Sequence, residues 1–253
     1  MRHPIALFAI LFASILAVTA TARAAAAPVV LFDQAHKQRF LAGETGPLQL
    51  SKLAERFRKQ GFQIAVRNDP LTQEALNGVT ALVISGPFAA LSPEEVDAVT
   101  GYLKSGGHLA VMLHISPPLS QLLDRLGVVV SNSVIHEHDN IIDDDPLSFR
   151  VTRLESHPLT KGIDHFSLYG VWALLDDGPN TSVVARTGDK AWIDLNGDRM
   201  LSRGDAVRSF AVAISGTLDK GRFAVFGDDA IFQNQYMDQS NTALADNLAQ
   251  WLK

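Results

Sequence analysis

The chain contains no cysteine. That absence excludes disulfides, thiolate zinc sites and a cysteine nucleophile together. It also lacks a basic stripe: the formal net charge is −5 over 253 residues, which speaks against a nucleic-acid partner. There is no internal sequence repeat. No Gly-x-Ser-x-Gly nucleophile elbow occurs, and no helix-type His-Glu-x-x-His zinc motif. What remains, 47% hydrophobic and 19% charged, is ordinary globular composition for one α/β domain.

The long apolar run from Ile5 to Val18 stands near the start, behind Arg2 and His3. It is short for a bilayer span, and Ala22-Arg23-Ala24 follows as a small-x-small cleavage site. Residues 1–24 therefore read as a signal peptide, and the mature protein is expected to be periplasmic or secreted, without stable membrane insertion. An uncleaved anchor is the alternative. Loss of Arg2 and Arg23 takes the net charge from −5 to −7.

The mature chain, 25–253, is organised around Pro28-Val29-Val30-Leu31-Phe32-Asp33-Gln34-Ala35-His36. Its apolar run predicts a fully buried strand. Asp33 and His36 follow at its carboxyl end, the side on which open α/β sheets hold ligands. Helical spacing over Leu48 to Gln60, a second strand at Phe62 to Val66 and a short helix at Leu71 to Leu76 come next. Ala81 to Ser85 is a third strand. Ser92-Pro93-Glu94-Glu95 is a helix start, with Ser as the cap, Pro in the first turn and acids near the positive end of the dipole. That helix is expected to end at Gly106-Gly107, before a strand from His108 to Ile115 and a helix from Pro117 to Leu126. Alternating strands and helices imply a parallel sheet.

The second half reads differently. Residues 132–148 form a polar, acidic insertion carrying His136, His138 and Asp143-Asp144-Asp145. Strands are expected at Leu168 to Leu175 and Thr181 to Arg186, then a hairpin turning at Asp219-Lys220-Gly221, then a helix from about Asn241 to Trp251. The fold class expected is thus α/β, a mainly parallel sheet with a partly antiparallel C-terminal extension.

Four stretches, in order, resemble the class I glutamine amidotransferase-like superfamily in its non-amidotransferase branch. They are Val29–Arg39; Ser85-Gly86-Pro87 with the following helix and Gly106-Gly107-His108; His157 to Ile163; and Gly221 to Asp229 with Asn234, Asn241 and the final Asn-Leu-x-x-Trp-Leu. That branch includes gliding-motility and intraflagellar-transport related domains and an exported family of unknown function. The resemblance implies a flavodoxin-like three-layer sandwich. The family's true amidotransferases carry a cysteine after a central strand. The matching region, His108 to Ser116, has none, so the glutaminase reaction is not available by that route.

Several constellations carry chemistry. Asp33, His36, Ser85, His114 and Asp228 each end or follow an apolar strand, and are ligand-pocket candidates. The plainer reading leaves them as turn caps and solvated groups. His114 with Ser116 and Asp228 suggests a triad in composition, but Ser116 precedes Pro117-Pro118 and stands in no elbow. Asp194, Asn196, Asp198, Met200 (through its carbonyl), Ser202 and Asp205 fall at loop positions 1, 3, 5, 7, 9 and 12, the spacing of a calcium loop, within a hairpin over 187–210. Arg199 replaces the glycine usual at position 6; the alternative is a polar turn without metal. His136-Glu137-His138-Asp139 has ligand types for zinc, but neighbouring side chains on a strand point apart, and a solvated acidic loop is favoured. Two functions follow. One is an exported, non-catalytic binding or scaffold domain for a small molecule, carbohydrate or protein. The other is a metal-dependent hydrolase using Asp33, His36, His114 and Asp228.

Overall fold

The computed structural model describes residues 26–253; the signal-peptide reading of residues 1–24 lies outside the described residues. β1 (Val29–Asp33) is sealed from Val30 onward and sits inside the sheet, as its apolar run requires. α1 (Ser51–Lys59) buries Leu53, Ala54 and Phe57 on one face. β2 (Gln63–Arg67) pairs with β1 in parallel and forms the sheet edge, which suits its half-exposed residues. β3 (Ala81–Ser85) is buried throughout and lies on the other side of β1.

α2 (Pro93–Lys104) starts at the expected cap. The Ser92 hydroxyl accepts the Glu95 N–H at 3.3 Å, and the Glu95 carboxylate accepts the Ser92 N–H at 2.9 Å. β4 (His108–Met112) follows, then a 3-10 turn at Pro117–Leu119 and α3 (Ser120–Leu126). Gly127 ends α3 at φ +69°, a left-handed position that glycine takes without a Cβ penalty.

The expected helix at Leu71 to Leu76 is absent; residues 73–78 are turns. Six residues hardly offset the cost of a helical nucleus. The Leu71 N–H instead donates to Glu95 Oε1 at 2.9 Å.

The second half is more strand-rich than its polarity suggests. β5 (Val128–His136) runs through Asn132 to His136, so that part of the acidic insertion is strand, not solvated loop. β6 (Ile141–Ile142), β7 (Asp145–Val151) and, after β8 (Arg153–Leu154), β9 (Phe166–Tyr169) bring in a second, antiparallel sheet of order β6-β7-β9. The single strand expected over Leu168 to Leu175 is two strands. Gly170, at φ +89°, breaks it, and β10 (Trp172–Asp176) joins the main sheet.

β11 (Thr181–Arg186), β12 (Trp192–Ile193), β13 (Ala206–Val207), β14 (Ala211–Leu218) and β15 (Gly221–Phe226) complete the strands, and α4 (Gln239–Trp251) closes the chain. β14 and β15 form the expected hairpin; Asp219 takes φ +53° in its turn.

The fold is mixed α/β with one large mixed sheet. Its main path is β13-β12-β5-β10-β14-β15-β4-β3-β1-β2. β15, β4, β3, β1 and β2 are mutually parallel; β14, β10, β5, β12 and β13 continue the path in antiparallel pairs. Two apolar clusters form the core. One joins α1 and α4 to Val30, Phe32, Val83 and Phe226; the other joins α2 and α3 to Leu31, Leu82, Ile84 and Val225. The alternation of strand residues between the two clusters is the period-2 pattern of a sheet buried on both faces.

Candidate functional site

The parallel block places the carboxyl ends of β1, β3, β4 and β15 at one edge, so Asp33, His36, Ser85, His114 and Asp228 gather there. They do not gather as one site. Two crevices divide them.

The first lies between β1 and β3, where the strand order reverses: β2 lies to one side of β1 and β3 to the other. It is filled by the protein itself. His36 is buried, with Nδ1 2.7 Å from Asp33 Oδ2 and Nε2 3.0 Å from Glu95 Oε1. Gln38 Nε2 donates to the same Asp33 oxygen at 2.5 Å, and Gln38 Oε1 accepts the His36 N–H at 2.7 Å. The His36 carbonyl accepts the N–H groups of Phe88 and Ala89 at 2.9 and 3.0 Å, which joins the loops after β1 and β3.

Burial works against a charged imidazole here. The hydrogen bonds and charges of Asp33 and Glu95 outweigh it, and the His36 pKa rises above its ordinary value. For Glu95, burial is likewise opposed, by the Ser92 and Leu71 N–H groups and by His36, and its pKa falls. With a carboxylate on each ring nitrogen, His36 in its protonated form donates to both and clamps three segments together. Sequence reasoning read Glu95 as a first-turn acid and missed its second role. The signal was present: a capping-box glutamate leaves one carboxylate oxygen free to reach outward.

The second crevice lies beyond β3, β4 and β15. His114 Nδ1 is 3.1 Å from Asp229 Oδ1, and the ring rests against Phe40 and Phe88 at centroid distances of 5.4 and 4.9 Å. The Arg39 guanidinium lies 4.6 Å from the centre of the Phe88 ring. The His114 carbonyl accepts Trp172 Nε1–H at 3.0 Å, which ties the loop to β10. Asp228 is wholly enclosed, its two oxygens accepting the Tyr169 and Ala230 N–H groups, each at 2.7 Å.

Burial, then the neighbouring Asp229 charge, pushes the Asp228 pKa up to about 8. The Asp229 hydrogen bond raises the His114 pKa, against burial and with help from the charges of Asp229 and Asp228. Two atoms stay unsatisfied: Ser85 Oγ and Asp229 Oδ2 are buried without a hydrogen-bond partner. Gly86, at φ +55°, packs so close to Asp229 Oδ2 that a Cβ there would collide with it.

The loop from Asp194 to Asp205 joins β12 to β13. Asp194, Asp198 and Asp205 each offer a carboxylate oxygen within 4.8 Å of the others. All three also accept backbone N–H groups: Asp194 from Asn196, Gly197 and Arg199, Asp198 from Met200, Asp205 from Leu195 and Ser202. Asn196 Nδ2 donates to Asp198 Oδ2 at 3.1 Å and to Ser202 Oγ at 2.8 Å. Arg199 takes φ +63°, the left-handed conformation that glycine would adopt at lower cost. Met200 is 66% exposed. Among the described residues this is the one group of three or more histidines and acids with metal-ligand spacing. The four groups of the hydrolase reading, Asp33, His36, His114 and Asp228, make no such group, nor does the His136 segment. His136 stacks on Trp192 at 4.1 Å, and burial lowers its pKa.

A family model described as a domain of unknown function (DUF4350) matches residues 42–249. The chain belongs to that family. The DUF4350 match takes in the second crevice's Ser85, His114 and Asp228 and the Asp194–Asp205 loop, while Asp33 and His36 precede it. The intraflagellar transport protein 52 homolog of Mus musculus is 24% identical over 249 residues, covering 88% of this chain and 55% of that protein. The human homolog is 23% identical, with 88% and 53% covered. The chain thus spans about half the length of the curated relatives it matches. The solved mmIFT52 N-terminal domain superposes with a TM-score of 0.72 at 22% identity, covering 88% of this chain and 96% of that one. A cytoplasmic protein of Salmonella typhimurium LT2 gives 0.59 at 15% identity, over 89% and 99%. At these identities the structural likenesses speak for the fold.

Proposed function

We propose that this DUF4350 chain is an exported, non-catalytic binding or scaffold domain with a flavodoxin-like, class I glutamine amidotransferase-like fold. One observation carries the reading. In the second crevice, Ser85 Oγ has no hydrogen-bond partner, and His114 is engaged by Asp229 rather than by a nucleophile. The half-exposed His114 ring is the accessible part of this place, and the Ser85 and Asp229 oxygens, sealed but unsatisfied, would take hydrogen-bond donors from a ligand that enters beside it, whether a small molecule, a carbohydrate or a protein segment. Helices α1 and α4 on one face of the sheet, with α2 and α3 on the other, support the three-layer reading. Likeness to a relative named for intraflagellar transport, and not for a reaction, supports the scaffold reading. The hydrolase alternative gains no support, because its groups are divided between two crevices.

Native mass spectrometry of the protein from a periplasmic fraction tests this. The expected species starts after Ala24 and retains a bound molecule or partner that Asp229→Asn releases. Turnover of ester, amide or glycoside substrates that disappears in His114→Ala would overturn the non-catalytic reading.

A second reading concerns Asp194–Asp205. The convergence of three carboxylates favours calcium there, with Asn196, Met200 (carbonyl) and Ser202 as further ligands. Saturating calcium, at 100 times the dissociation constant, is expected to stabilise the chain by about 2.7 kcal/mol. Asp194→Ala is expected to remove that shift. Identical melts in calcium and in chelator leave a turn held by its own hydrogen bonds.

A further inference from the structure

The opposite edge of the sheet carries a cation with no counter-charge. His108 opens β4, Arg222 follows Gly221 at the start of β15, and the two are register partners. Both point to the α1–α4 face, since Ala224 and Ala110, two residues further on, belong to that cluster. The Arg222 guanidinium lies 5.3 Å from the centre of the Trp251 ring at the end of α4, and His157 meets the same ring edge-on at 5.4 Å. Arg222 Nε is buried without a hydrogen-bond partner, and so is His108 Nδ1.

Four other arginines have a carboxylate partner, Arg56, Arg58, Arg125 and Arg153. Arg56 grips Asp246 through two bonds of 2.6 Å, and Arg153 grips Asp189 at 2.5 and 2.7 Å. Among the described residues, no carboxylate pairs with Arg222. An unpaired lysine in water is routine; a half-buried guanidinium with a sealed, empty donor is costly.

Arg222 lines a cleft of about 560 Å³ together with Lys161, Asn247, Gln250 and Trp251, and no acid lines it. Asn247 Nδ2 donates to the Leu159 and Lys161 carbonyls at 3.0 and 2.8 Å, which fixes the turn that carries Lys161. The cleft therefore combines two cations, amide groups and an indole on a positioned frame. Burial lowers the Arg222 pKa, and burial followed by the Arg222 charge lowers that of His108, as expected for positive charge lacking an anion.

We propose that this cleft binds a small oxyanion ligand, its carboxylate or phosphate held by Arg222 and Lys161 and a flat apolar group lying along Trp251. Guanidinium and ammonium together suit either oxyanion. The site is independent of the two crevices at the carboxyl edge.

The test is a titration of the whole chain at low salt with benzoate, phenyl phosphate, inorganic phosphate and benzyl alcohol, read on the Trp251 indole N–H resonance. Saturable shifts are expected with benzoate or phenyl phosphate, weaker ones with inorganic phosphate and none with benzyl alcohol. Added salt is expected to weaken the binding. Arg222→Met, which keeps the stem over Trp251, is expected to weaken it by about tenfold or more, the worth of a charge-assisted hydrogen bond. Lys161→Gln, at an exposed position, is expected to weaken it by less and to leave the fold intact. It decides the matter if Arg222→Met does not fold. Trp251→Leu, read by calorimetry, is expected to erase the preference for phenyl over inorganic phosphate. An unmoved Trp251 signal in the parent overturns the site, as does equal affinity for benzyl alcohol or undiminished binding in Lys161→Gln and folded Arg222→Met.

Discussion

His36 and His114 stand at the same edge of the same sheet, two strands apart, each beside an aspartate. The His36 side chain is 6% exposed and has a carboxylate on each ring nitrogen; that of His114 is 37% exposed and has one. The difference comes from a third element. Glu95, in the first turn of α2, reaches into the β1–β3 crevice and completes a clamp, while no such group completes the His114 pair. A strand-end position thus brings polar residues to the ligand side of a sheet without making a pocket of them. Where the strand order reverses and a ligand is expected, the chain uses the space to hold its own loops.

The largest effect expected from this contrast is on Glu95. Glu95→Ala removes the cap partner of Ser92, the acceptor of the Leu71 N–H and the anion facing a buried imidazolium. Leaving a buried charge wholly unpaired costs about 3–5 kcal/mol; Asp33 still faces the other ring nitrogen of His36, so the loss is expected at or below the lower end of that range. Urea unfolding at neutral pH measures it. A loss below about 1 kcal/mol, the range of an exposed pair, would remove the distinction between the two crevices.

The pH dependence sharpens the contrast next. His36 has a raised pKa, so its contribution is fully present below its ordinary 6.5 and is lost as pH rises through the folded value. Glu95 has a lowered pKa, so its contribution is present above 4.5 and is lost as pH falls through the folded value. The clamp is strongest between those limits. Asp228 acts in the other direction. Its pKa is raised from 3.8 to about 8, so the folded chain binds the extra proton and stability declines as pH rises through that window. Unfolding free energies from pH 4 to 9 are expected to lose their Asp228-linked slope in Asp228→Asn, whatever the absolute cost of that variant, and to show a weaker clamp dependence in Glu95→Gln, where Asp33 alone still faces His36. Unchanged slopes in both would show that neither carboxyl has the environment argued for it.

Much of the first half was legible because each local signal agreed with its surroundings. Val29–Asp33 and Ala81–Ser85 are apolar enough to be buried on both faces, and Ser92-Pro93-Glu94-Glu95 starts a helix where it stands. Less was legible where tertiary pairing decided. Asn132 to His136 is polar yet extended, because β5 pairs with β10 and, at its end, with β12. Leu71 to Leu76 has apolar residues at helical spacing but is too short to hold a helix once Glu95 takes the Leu71 N–H. Gly170 divides a stretch that reads as one strand. At the site, sequence position predicted the shared edge of Asp33, His36, Ser85, His114 and Asp228. It could not tell a crevice closed by a third group from one without it, because that depends on Glu95, which is 59 residues along the chain from the His36 it meets. Arg222 looked like a routine strand residue, since an unmet charge shows only when its neighbours are known.

The smallest expected effect belongs to His114→Ala. The imidazole makes one hydrogen bond, to Asp229, and packs beside Phe40 and Phe88. At 37% exposure that pair is screened by water, and solvent entering the space left by the ring can satisfy Asp229 Oδ1. The net cost is therefore about 1 kcal/mol. Chemical denaturation beside Glu95→Ala, in the same buffer at neutral pH, makes the comparison direct. A His114→Ala loss as large as that of Glu95→Ala would make the second crevice another internal clamp, and its unsatisfied oxygens a feature of packing with no ligand to meet.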